Sequence, residues 1–142
     1  MNNLQSIVSH FNTKGTVNEI QPLGSGLIND TYKVTTLEAD APDYVLQRIN
    51  HAIFQNVEML QTNIEAVTRH IRKKLTEQGA DDIDRKVLSF IFADTGKTYW
   101  YDGENYWRIM TFIPNAKTYE TVDEEYSYYA GVAFGNFQAM LA

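Results

Sequence analysis

The chain has 142 residues and a mass of 16.3 kDa, the size of one domain, and folding at that length removes roughly 68–70% of the unfolded chain's surface from water. Twelve Lys and Arg against eighteen Asp and Glu leave a net charge of −6 and a pI near 4.9. That balance argues against nucleic acid or an anionic membrane surface as partner, while 44% hydrophobic and 13% aromatic residues exclude disorder over most of the chain. Cysteine is absent, which excludes disulfides and thiolate zinc sites and fits a reducing compartment. Met1 to Ser6 offers no basic start, and no run reaches about 18 apolar residues, so a soluble, cytoplasmic protein is expected.

Leu4, Ile7, Val8 and Phe11 form one apolar stripe at helical spacing, and Gly15 is the expected stop. Val17 to Leu23, Thr31 to Thr36 and Tyr44 to Ile49 are β-branched and aromatic runs separated by turn-forming residues, which predicts three strands joined as hairpins. The period then changes. Val57, Leu60, Ile64, Val67, Ile71 and Leu75 recur every three or four residues, with Asn56 as cap and Gly79 beyond the end, predicting a helix of about six turns.

An acidic loop follows at Asp81, Asp82 and Asp84. Val87 to Phe92, Thr98 to Tyr101 and Tyr106 to Phe112 are separated by Asp- and Gly-bearing turns and are expected to form an antiparallel meander. Twelve of the eighteen aromatic residues lie between Phe90 and Tyr129, which assigns this half the larger packing load. Thr121 to Glu124 has capping-box spacing, so a helix is expected from about Asp123 to the last residue. Ala139 to Ala142 is apolar, whereas chain ends are usually exposed and frayed; a processing boundary inside a longer protein is therefore expected at 142.

Gly24-Ser25-Gly26-Leu27-Ile28-Asn29 pairs two glycines between predicted strands. Such a turn lets backbone approach a ligand and aim amides at phosphate oxygens. Alone it reads more readily as a hairpin turn without ligand, and with Asn29 in the third glycine position and a strand after it, neither a Rossmann nor a Walker loop fits. The order of parts says more. A glycine loop between the first two strands, a third strand, a long helix, two further strands and an apolar connection is the order of a kinase small lobe. On the third strand Val45, Gln47 and Ile49 share a face, which in kinases covers adenine and offers a cation to the phosphates.

Five blocks, Gly24 to Tyr32, Tyr44 to Asn50, Asn63 to Thr68, Trp107 to Ile113 and Ala133 to Gln138, resemble in order those of the N-acetylhexosamine 1-kinases of the aminoglycoside phosphotransferase and choline kinase-like superfamily. The resemblance runs from about Ile7 to the last residue. It implies an α+β fold like a protein-kinase small lobe: an antiparallel sheet of about five strands, one long crossing helix and flanking terminal helices. Residues 1–113 would be the amino-terminal lobe, and 114–142 the hinge exit and first helix of a truncated carboxy-terminal lobe. The implied activity is transfer of the ATP γ-phosphoryl group to the anomeric hydroxyl of an N-acetylhexosamine in glycan-sugar salvage, with magnesium.

By the same resemblance Gly24, Ser25, Gly26, Leu27, Ile28 and Asn29 form the loop over the phosphates. Val45 and Gln47 lie on the nucleotide face, and Thr111, Phe112 and Ile113 form a hinge whose backbone reads adenine. Glu65 stands where a kinase helix places the acid that pairs with the third-strand cation. Two positions depart from the pattern: Gln47 stands where Lys or Arg is usual, and Leu27 where the hexosamine kinases commonly have His. The catalytic-loop Asp, its Asn and the metal-binding Asp have no counterpart in residues 1–142, so the chain alone is expected to be inactive, with magnesium ligands in the missing lobe. The alternative is a non-catalytic nucleotide- or protein-binding module derived from such a lobe. An apolar patch on the isolated lobe would allow self-association.

Other candidates have plainer readings. His10, His51 and His70 lack a His or Cys partner at i+3 or i+4, which favours surface or capping roles over metal ligation. Asp81, Asp82 and Asp84 lack the Gly and distal Glu of a calcium loop. Asp123, Glu124 and Glu125 suit a helix amino terminus, and Tyr126, Tyr128 and Tyr129 suit helix packing more than sugar stacking.

Overall fold

The computed structural model describes residues 3–23, 30–52, 55–114 and 124–141. In chain order the elements are α1 (Asn3–Ser9), β1 (Val17–Pro22), β2 (Asp30–Thr36), β3 (Tyr44–Ile49), α2 (Val57–Glu77), α3 (Ile83–Lys86), β4 (Trp100–Tyr101), β5 (Tyr106–Thr111) and α4 (Glu124–Leu141). The strands form one antiparallel sheet in the order β1-β2-β3-β5-β4. The fold is thus α+β with a five-stranded antiparallel sheet and several helices, as the sequence predicts.

The chain divides into two compact units. One comprises residues 1–65 and 88–112, the other residues 66–87 and 113–142. In the first, side-chain alternation sends Val34, Tyr44, Leu46, Trp107 and Ile109 to one face of the sheet, where they pack with Ile7, Val8 and Phe11 from α1 and its exit. Val34, Leu46 and Ile109 are fully buried. The Tyr44 hydroxyl, at the edge of this core, accepts a hydrogen bond from the Lys14 amide at 2.9 Å, so the aromatic ring is buried without orphaning its polar end. In the second unit Ile71 and Leu75 of α2 cluster with Val87, Ala80, Ile83 and Met140.

The caps of α2 are those the sequence predicts. Asn56 Oδ1 accepts from the Met59 amide at 3.0 Å, satisfying one of the orphan donors of the first turn. At the other end Gly79 takes φ +70° and the Ala80 amide returns to the Leu75 carbonyl at 3.0 Å, a left-handed C-terminal closure.

Three local expectations need correction. Residues 87–92 form no regular strand. The β4-facing edge of β5 is shared: β4 occupies it at Tyr106 and Trp107, and residues 89–91 take the rest through a single bridge, Phe90 to Met110, and the bonds Ile91 N–H to Ile109 O and Thr111 N–H to Ser89 O. Each partner is too short to build a longer ladder. The acidic loop contains a helical turn, α3, entered through Asp82 at φ +53°. Gly15 does not cap α1, which ends at Ser9; it serves the approach to β1, where a Cβ would stand 2.7 Å from the Ala41 Cβ. The expected start of the last helix at Asp123 lies outside the described residues.

Two outcomes follow for stability. Gly15→Ala adds that overlap to the cost of a non-glycine residue at φ +81°, so urea denaturation should show a loss of more than about 1 kcal/mol. Gly96→Ala, at φ +84° with nothing within 4 Å, should lose less. Asp102 titrates below its ordinary value of 3.8: partial burial pushes it up, but the Asn105 and Glu104 amides and the Trp107 indole N–H outweigh that. Its stabilisation is therefore complete above the unfolded-state value and disappears as pH falls through the folded one. Asp102→Asn should flatten the loss of stability below about pH 4, measured as melting temperature against pH.

Candidate functional site

The second face of the sheet carries Thr31 and Lys33 of β2, Val45 and Gln47 of β3, and Arg108 and Met110 of β5, by alternation and register. Thr31 lies opposite Gln47, Gln47 opposite Arg108, and Val45 opposite Met110. The face has two chemically distinct ends. Toward the expected hinge it is apolar, with Val45 beside the buried Met110 and the Lys33 ammonium 4.2 Å from the centre of the Phe112 ring, a cation–π distance.

The other end is a continuous polar row. Gln47 Nε2 donates to Thr31 Oγ1 at 3.2 Å, and Gln47 Oε1 accepts from Arg108 Nε at 2.9 Å. Arg108 Nη1 donates to Gln61 Oε1 at 2.8 Å. Gln61 Nε2 in turn lies 3.2 Å from Thr98 Oγ1, to which it donates. Gln61 and Thr98 are each only 2% exposed, so this end of the row is anchored in dry protein, where an unmade hydrogen bond is expensive. Burial lowers the Arg108 pKa from its ordinary value, and the group's hydrogen-bond partners are two neutral amides. Its guanidinium carbon lies 5.7 Å from the Phe90 ring centre.

The neighbouring cation is committed elsewhere. Arg48 points to the opposite face, where its Nε donates to Asp30 Oδ2 at 2.8 Å, its Nη2 contacts the same oxygen, and its Nη1 reaches Asn105 Oδ1 at 3.4 Å. Asp30 and Arg48 are directly opposed across β2 and β3, so a cross-strand ion pair occupies the charge that lies nearest to Gln47 in sequence.

Of the residues the sequence singles out, Val45 and Gln47 share this face. Glu65 lies one turn after Gln61 on α2, and its charge contributes to holding the Lys97 ammonium above its ordinary value, after the hydrogen bond and charge of Glu58. In the segment expected to be a hinge, the Thr111 amide is engaged by Ser89 O at 3.0 Å and the Phe112 amide by Asp43 O at 2.9 Å. The Ile113 amide has no hydrogen bond among the described residues. Gly24, Ser25, Gly26, Leu27, Ile28 and Asn29 lie outside the described residues. His10 stacks on Trp100 at 3.9 Å and bonds Asp94 through Nδ1 at 2.9 Å, consistent with a structural part. Among the described residues no group of three His, Asp or Glu could hold a metal. None of the described helices is long and apolar enough to cross a membrane.

Sequence reasoning missed Gln61, Thr98 and Arg108. For two of them a signal was available: Gln61 falls on the apolar stripe, four residues after Val57 and three before Ile64, and Arg108 interrupts the otherwise uncharged strand Tyr106 to Phe112. No protein-family model matches the chain.

Gln61→Leu removes the amide that satisfies both Arg108 and Thr98, and should cost about 1–3 kcal/mol in urea denaturation. Adding Thr98→Val should cost less than the two single changes summed, with a coupling of at least about 0.5 kcal/mol in a double-mutant cycle.

Proposed function

We propose that the chain is a nucleotide-binding lobe, with the second sheet face as its ligand surface. The supporting observation is the division of that face: Val45 and Met110 offer an apolar floor suited to a base, and a polar row that contains a guanidinium begins one side-chain position further along β3. A purine and its phosphates have the same division of character. The glycine-paired sequence Gly24 to Asn29 precedes β2 directly.

More particularly, the lobe belongs to an ATP-dependent kinase of N-acetylhexosamines that phosphorylates the anomeric hydroxyl in glycan-sugar salvage in the cytoplasm. The five sequence blocks resembling that family support the assignment. On this reading residues 1–113 form the kinase-like small lobe and residues 114–142 begin the catalytic lobe. The catalytic lobe supplies the base and the carboxylates that hold magnesium, and the 142-residue chain by itself has no turnover. Exposed Tyr128, Tyr129, Val132, Phe134 and Phe137 on α4 offer a surface for self-association.

A second reading, a binding module that retains the lobe without the chemistry, draws on the neutral Gln47. Both readings require nucleotide binding, and turnover of ATP with an N-acetylhexosamine by the protein that carries this lobe separates them. For the lobe itself, magnesium-ATP at about 100 times its dissociation constant should stabilise the chain by about 2.7 kcal/mol, read as a rise in melting temperature. Gly26→Val should abolish that rise while leaving the melting temperature without ligand nearly unchanged. No shift at millimolar ATP would point instead to an acidic interaction domain.

A further inference from the structure

The polar row contains a cation whose partners among the described residues leave part of it unused. A guanidinium has five N–H donors in a planar fork. Arg108 commits Nε to Gln47 and one Nη1 donor to Gln61, while Nη2 makes no hydrogen bond among the described residues. Gln47, which faces it across the strand pair, spends its own Nε2 on Thr31. The amide oxygen of Gln47 is thereby directed at Arg108, and Gln61 is fixed likewise by Thr98. Both amides orient the fork without neutralising it, whereas Arg48, on the other face, is paired with a carboxylate. A half-buried cation whose hydrogen-bond partners among the described residues are neutral amides retains its attraction for an anion, and the partial desolvation strengthens that attraction.

We infer that Arg108 of β5 is the polyphosphate-contacting cation of this face, taking the place that Gln47 leaves neutral on β3, with Gln47 and Gln61 as the residues that position it. The ligand class is a polyphosphate anion, and on the nucleotide reading, upon which this inference rests for its biological ligand, it is the phosphate chain of ATP. The net charge of −6 means that the protein as a whole repels such anions, so binding has to come from a local site of this kind. Lys33, on the same face but stacked on Phe112, lies toward the apolar end and suits the ligand's other part.

The experiment is calorimetric titration of the 142-residue chain with sodium tripolyphosphate, with magnesium-ATP and with adenosine, for the native sequence and for Arg108→Gln, Arg108→Lys and Gln47→Glu. Arg108→Gln should weaken tripolyphosphate and ATP by about tenfold or more, as expected for loss of a charge-assisted contact, with adenosine within about twofold of native. Gln47→Glu, which leaves Arg108 in place but gives it a carboxylate partner, should weaken the same two ligands comparably; Arg108→Lys should recover part of the loss. The Gln47→Glu and Arg108→Lys variants keep the test decisive should Arg108→Gln fail to fold. Native-like tripolyphosphate and ATP binding in both Arg108→Gln and Gln47→Glu overturns the inference and leaves the nucleotide reading standing. Arg108-dependent tripolyphosphate binding without any contribution from adenosine upholds the inference and removes the nucleotide reading. Absence of binding by all three ligands to the native chain overturns both.

Discussion

A guanidinium on a central strand of a five-stranded sheet constrains everything around it. Removing a cation from water is costly, and without compensating hydrogen bonds a sheet would not tolerate it. Here the compensation comes from two directions: across the ladder from Gln47 and down from α2 through Gln61. The second contact requires the first turns of α2 to lie within reach of β5, and the buried Thr98 bond fixes the Gln61 amide so that its oxygen faces the cation. The register of β3 with β5, the placement of the start of α2 and the course of residues 97–99 are thus tied to one charged group.

The two faces of the sheet have divided the work. The face that receives α1 is the principal apolar core of its unit, with Leu46, Val34 and Ile109 removed from solvent, and Arg48 on that face is paired with Asp30. The second face places no such apolar cluster between Thr31 and Arg108; it places a hydrogen-bonded row. Polar rows of this kind contribute little net stability compared with a well-packed apolar alternative. On the proposed reading such a row, beside a conventionally packed face, suits a ligand surface, since a preorganised donor costs less to bring to its ligand than a mobile one.

Legibility in the sequence followed the strength of the local signal. The stripe from Val57 to Leu75 with Asn56 and Gly79 at its ends specified α2 almost to the residue, because period, cap and stop agree. The strands β1, β2, β3 and β5 were readable from their branched and aromatic runs. Residues 87–92 have the same composition, but whether they form a strand depends on how the edge of β5 is shared with β4, a fact of tertiary pairing that no local window contains. Gly15 is readable as a left-handed position and not as a helix stop, because its requirement comes from Ala41, 26 positions on in the chain. The polar row was invisible for a related reason. Gln61 and Arg108 each look like a single polar interruption of an apolar pattern, and only the packing of the start of α2 against β5 shows that they meet.

On the proposed nucleotide-binding reading, the register of β3 against β5 also accounts for a neutral residue at position 47, because the position opposite it on β5 carries a cation on the same face. Side chains directly opposite on neighbouring antiparallel strands stand about 5 Å apart and point the same way, so a cation moved from the third strand to the position across from it travels less than the length of its own side chain. An arginine, with its longer reach and planar fork, can present its donors to the region a lysine on β3 would serve, provided its neighbours leave part of the fork uncommitted. Gln47 meets that condition because it is neutral and is oriented by Thr31; a carboxylate in its place would bind the fork and occupy it. The glutamine that reads in sequence as the absence of a cation is, in the folded sheet, the group that aims one.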